Sequence, residues 1–140
     1  MKISTITAAI QASIAITLTK GKLESRDIVY LKGVAKKLTQ SLDKNFPGIQ
    51  LRMEPKWLPS NAHKNYWVIK LASYLVNAQM VAVELYFVDG THGYILDGYK
   101  ASMNGGWGTQ KTGLANKVYN NKMLIEDLTE AVTKEVTKFG

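Results

Sequence analysis

The chain has no cysteine among its 140 residues. That excludes disulfides, thiolate zinc ligands and thiol nucleophiles together. It also fits a reducing compartment, so a cytoplasmic location is expected. Histidine is nearly as scarce, with His63 and His92 the only two. Neither shows the short helical spacing from which histidine metal sites are built, and no cofactor or metal site is expected. No Gly-x-Ser-x-Gly elbow is present. A hydrolytic triad would have to recruit one of two histidines that nothing singles out, so a non-enzymatic protein is expected. Arginine is limited to Arg26 and Arg52. Bidentate phosphate recognition and base readout lean on arginine, so the positive surface suits loose electrostatic attraction better.

Long apolar runs are missing too. Between Lys2 and Lys20 there is no charge, but Thr5, Thr7, Gln11, Ser13, Thr17 and Thr19 interrupt the stretch. A membrane span wants about 20 mostly apolar residues, and a leader peptide wants a compact apolar centre. The stretch therefore reads as part of the folded protein, with no membrane partner. Linkers, repeats and low-complexity segments are absent as well, so residues 1–140 are expected to form one domain, as suits this length.

What is present is an excess of lysine. Eighteen Lys+Arg against eleven Asp+Glu give a formal charge of +7, which favours acidic partners. Hydrophobic residues make up 46% of the chain, enough for a core that needs no covalent staple.

Periodicity sets the expected elements. Ile3, Ile6, Ile10, Ile14 and Leu18 recur at three- and four-residue spacings, which predicts an amphipathic helix over 3–19. A rival pattern, Ile14, Ile16 and Leu18 alternating with small residues, makes 13–19 a strand. The uncharged helix would be buried on both sides or pair with its own copy in a homodimer, with Ala8, Ala12 and Ala15 covered. Ser25 can cap a second helix carrying Ile28, Leu31, Ala35, Leu38 and Leu42, ended by Pro47-Gly48. Then the period becomes two. Ile49, Leu51 and Met53 predict a strand; 66–76, 80–88 and 93–99 predict three more, with Asp89-Gly90 as a hairpin turn. Residues 55–65 and 104–113 read as loops. Leu124, Leu128, Val132 and Val136 place a last helix from about Met123, with Leu114 as an earlier start. The expected class is α+β, a four-stranded antiparallel meander in the order α-α-β-β-β-β-α.

Three motifs carry chemistry. Gly105-Gly106-Trp107-Gly108-Thr109-Gln110-Lys111-Thr112 is one residue from a phosphate-binding loop, but Gln110 stands where a glycine lets the backbone approach phosphate. Asp43, Glu54 and Lys56 sketch a metal-dependent nuclease, with Pro55 interrupting the pattern. His92 near Asp97 offers a general base or ligand. Each has a plainer account as loop or solvated charge. Basic side chains with aromatics are the stronger pattern: Lys32, Lys36, Lys37, Lys44, Arg52 and Lys111 with Trp57, Trp67 and Trp107. Rings stack bases and cations hold phosphates, so the expected partner is an acidic macromolecule, nucleic acid or a nucleoprotein complex. The alternatives are a small protein-interaction module, an inhibitor or adaptor of phage or mobile-element type, and the metal-dependent nuclease.

Overall fold

The computed structural model describes residues 16–19, 24–53, 58–59, 67–75, 78–91 and 93–139. The elements are β1 (Thr17–Leu18), α1 (Ser25–Asp43), β2 (Arg52–Met53), β3 (Leu58–Pro59), β4 (Trp67–Tyr74), β5 (Met80–Asp89), β6 (Tyr94–Met103), β7 (Thr109–Lys111), a single 3-10 turn (Leu114–Asn116) and α2 (Asn121–Phe139). The class is α+β with an antiparallel sheet, as expected. The sheet is five strands wide and built from seven segments. β4, β5 and β6 form a continuous meander, Trp67 opposite Phe87 and Val81 opposite Met103. Each outer edge is covered twice by short pieces. β1 and β7 lie along β6, while β2 and β3 lie along β4.

The expected order needs correcting. Thr17–Leu18 is a strand paired with Tyr94–Ile95, so the alternating pattern wins over the helical one there. Pairing gives the backbone groups of this short piece partners in β6, and Leu18 is buried. The rest of the predicted first helix, with Ala8, Ala12, Ala15 and the dimer read from it, lies outside the described residues. β3 falls in the proline-bearing loop and β7 in the glycine-rich one. Neither carries a periodic signal, because two- and three-residue edge strands are specified by the neighbour they pair with. Leu114–Asn116 is the short turn, and α2 begins at Asn121.

Both helices lie on one face of the sheet. Leu31, Val34, Ala35, Leu38 and Leu42 turn inward from α1, and Leu124, Leu128, Ala131 and Val132 from α2. They meet Ile69, Leu71, Val81, Val83, Leu85, Phe87, Leu96 and Ala101 from the sheet. Each large side chain so buried contributes about 1.5–3 kcal/mol. The helices run in the same direction, with Tyr30 bonded to Asn121 near their starts and Thr129 to Ser41 further along. At the entry to α1, the buried carboxylate of Asp27 accepts the backbone N–H groups of Thr19 (3.2 Å) and Glu24 (2.9 Å), tying β1 to the helix start.

Register assigns the aromatics. Trp67, Phe87, Tyr94 and Tyr99 share the helix-covered face, while Tyr74 and Tyr86 are on the other. A bulge between Tyr86 and Phe87 leaves Asp97 without an opposite residue. Its buried carboxylate accepts the Ala115 N–H at 3.1 Å, holding the 3-10 turn against β6. Asp97 thus anchors backbone; His92, which the sequence sets near it as a candidate base or ligand, lies outside the described residues.

Burial raises the affinity of several tyrosines for their protons. Tyr86 is pushed up to about 12 by burial and then by Glu84, and Tyr99 to about 12 by burial and then by Asp127 and Glu130. Burial also raises Tyr30, and burial with the Asp127 hydrogen bond raises Tyr119. An unfolded tyrosine ionises near 10. Above that pH the unfolded chain gives up protons that the folded one keeps, so stability complete below pH ~10 is lost as pH rises toward ~12. Denaturant midpoints measured on either side of pH ~10 should fall steeply on the alkaline side. A flat profile would contradict this burial of the rings.

Candidate functional site

The lysines of α1 expected to meet an acidic partner stand in two stripes. All of Arg26, Lys32, Lys36, Lys37 and Lys44 are exposed. Lys32 and Lys36 continue at helical spacing to Thr39, whose Oγ1 accepts the Leu51 N–H at 3.0 Å. That flank of α1 therefore looks toward β2. Arg26, Lys37 and Lys44 align on the other flank, where Lys37 borders a groove between the helices with Tyr30, Asn121 and Ile125. Exposed Val29 and Gln40 lie between the stripes. On α2, exposed Glu126 and Glu130 stand among Lys122, Lys134 and Lys138, so the positive surplus belongs to α1.

Arg52 is exposed on the sheet face away from the helices, opposite Ala72. Beside it lies a cleft of about 400 Å³ whose walls include Gly48, Gln50, Arg52, Ala72 and Tyr74. Among the described residues no carboxylate lines it. Tyr74 is 73% exposed, and the Arg52 guanidinium makes only a long 3.4 Å bond to Gln50. Among the described residues no carboxylate pairs with it. The centre of this face differs. Lys70, Glu84 and Lys100 stand directly opposite one another across β4, β5 and β6, so Glu84 offsets one of the two lysine charges.

The three tryptophans separate. Trp67 is half-buried on the helix-covered face, its ring 5.7 Å from that of Tyr94 and tilted at 43°. It packs against the core and is not a stacking platform, because its register puts it in line with Ile69 and Leu71. Trp57 lies outside the described residues. Trp107 is 95% exposed at the tip of the β6–β7 hairpin. That hairpin is fastened at its base: Asn104 donates its N–H to the Met80 carbonyl (2.7 Å) and accepts the Met80 N–H on Oδ1 (2.9 Å). Gly105 takes a left-handed conformation (φ 74°), and a Cβ at Gly108 would run into the Ala101 carbonyl.

Lys111, expected among the binding lysines, is tied to α2 instead. Its Nζ pairs with Asp127 at 3.3 Å and lies 5.9 Å from the Tyr119 ring centre. Asp127 also accepts the Tyr119 hydroxyl at 2.7 Å. The cluster fastens β7 to α2. The stretch resembling a phosphate loop is a hairpin between antiparallel strands, with no helix opening behind it to point its N–H groups at phosphate.

No family model, curated protein or solved structure matches the chain.

Glu54 and Lys56 of the nuclease pattern lie outside the described residues, and Asp43 is exposed at the end of α1. Among the described residues no group of three or more His, Asp or Glu could hold a metal ion. No helix among them is long and apolar enough to cross a membrane. Sequence reading named Arg52 and Trp107 but gave Tyr74 no special weight. Alternation along β4 could have singled it out, as the last residue on the face opposite Ile69 and Leu71.

Proposed function

We propose that this is a non-enzymatic binding protein, acting in the cytoplasm, that takes up an acidic macromolecule along its β2 edge, with nucleic acid the first candidate. The observation that carries this reading is the open cleft beside Arg52, which has an exposed ring and a guanidinium and, among the described residues, no carboxylate in its walls or paired with that guanidinium. Lys32 and Lys36 flank the same edge from α1. A phosphate backbone following that edge passes Arg52 on the sheet face and Lys32 and Lys36 on the helix layer, whereas at the centre of the sheet face Glu84 offsets one of two lysines.

Binding of this kind releases counterions and weakens with salt. Replacing Lys32, Lys36 and Arg52 with glutamine should lower affinity and flatten the plot of log K against log salt by about 2–3 units, at roughly 0.7–0.9 per phosphate contact. Fluorescence anisotropy with labelled oligonucleotides at several salt concentrations measures this. Failure to bind at low salt would dismiss the reading.

The exposed Trp107 favours a second reading, a protein-interaction module in which that ring is an anchor. A discrete protein partner that survives nuclease treatment and is lost with Trp107→Ala would select it.

A further inference from the structure

We infer that the preferred ligand of the β2 edge is single-stranded nucleic acid, with an unpaired base on the Tyr74 ring, its phosphate on Arg52, and Trp107 holding a second base further along. This rests on the acidic-macromolecule reading and narrows it. Three observations point to single strands.

The first is the kind of surface available. Tyr74 and Trp107 are among the most exposed large apolar side chains described, and a flat ring open to solvent is what an unpaired base stacks on. In a duplex the bases already stack on one another and offer such rings no face. The second is placement. Tyr74 pairs with Met80, and Met80 is bonded both ways to Asn104, where the Trp107 hairpin begins. Both rings therefore stand at one end of the sheet, with β5 between their strands, and strand spacings of about 5 Å separate the rows. The hairpin is fixed at its base, so little ordering is left to oppose binding.

The third is charge. In the middle of the open face Glu84 stands between Lys70 and Lys100 and offsets one of their two charges, and Ala82, Tyr86 and Ser102 around it are buried, so a phosphate backbone finds less accessible charge there than at the edge. Arg52 lies toward the Tyr74 end, one step along the sheet from that row, in a cleft of about 400 Å³ with no carboxylate among its described lining residues. That volume is in the range of small-ligand pockets and suits one nucleotide. The lysines of α1 sit on the opposite layer from this face, so a rigid duplex lying on the sheet would not reach both stripes. A flexible strand passing over the β2 edge can reach Lys32 and Lys36.

The test titrates the whole protein into a labelled oligothymidylate and into a duplex of the same length at low salt. The single strand should bind roughly tenfold tighter or more. Tyr74→Ala and Trp107→Ala should each weaken it by at least about fivefold, and Tyr74→Phe should retain binding because the ring remains. Both side chains are exposed, so the variants are expected to fold, and circular dichroism checks this. Duplex bound as tightly as the single strand, or alanine variants that bind like the parent, would overturn the single-strand inference while leaving the acidic-macromolecule reading standing. Binding of neither probe would overturn both.

Discussion

Replacing Phe87 with alanine is expected to cost about 3–5 kcal/mol, the range for emptying a fully buried aromatic site. Phe87 is 0% exposed and stands between Trp67 on β4 and Leu96 on β6, at the step where the bulge resets the register. The cavity would open where the two neighbouring strands are least free to close it. Small domains have only about 5–15 kcal/mol in hand, so the variant should unfold at a much lower urea concentration. Val29→Ala is the matched control. Val29 is 70% exposed on α1, and its loss should fall within about 0.5 kcal/mol of neutral. A Phe87→Ala variant as stable as the control would contradict the placement of the core.

The second large effect concerns a buried charge. Glu135 is 0% exposed on the inner side of α2. Its Oε2 accepts the Thr109 hydroxyl at 2.7 Å and the Lys138 ammonium at 3.2 Å, while Oε1 has no hydrogen-bond partner. Lys138 is more than half exposed, so water screens its share. Thr109 therefore supplies the well-shielded bond. Thr109→Val keeps the shape, removes the donor, and should cost about 2 kcal/mol, since bonds to charged groups are worth roughly 1.5–3. Urea unfolding would read this as a lower midpoint at unchanged slope. The double variant Thr109→Val/Glu135→Leu should recover most of the loss, because removing both polar partners also removes the desolvated charge. A double variant worse than either single one would contradict this account.

Sequence revealed the long elements because they bury one face along many residues. α1 declared itself through Leu31, Ala35, Leu38 and Leu42, and the meander through the β-branched and aromatic runs around Asp89-Gly90. The short strands at the sheet edges were not legible. Thr17–Leu18, Leu58–Pro59 and Thr109–Lys111 hold too few residues for a period to show, and their pairing depends on β4 and β6 lying alongside. The candidate site was half legible. Arg52 stood out because the chain has so few arginines, and Trp107 because glycines surround it. Lys111 and Trp67 misled, since residue type alone does not show that Asp127 holds one or that register turns the other toward Tyr94. The lysines of α1 face solvent. That they form two stripes follows only once Thr39 and Ser41 are seen to touch different neighbours.

The pairing of Thr17 with Ile95 and of Leu18 with Tyr94 has a consequence for synthesis on the ribosome. β1 must wait for a strand some 77 residues behind it, and closing so long a loop is slow. Until β6 leaves the exit tunnel, Leu18 has no pocket and Asp27 can hold only a detached N-terminal piece. The β4–β5 hairpin, whose partners lie close in sequence, is therefore expected to form ahead of it. β1 is made ahead of the meander and settles after it.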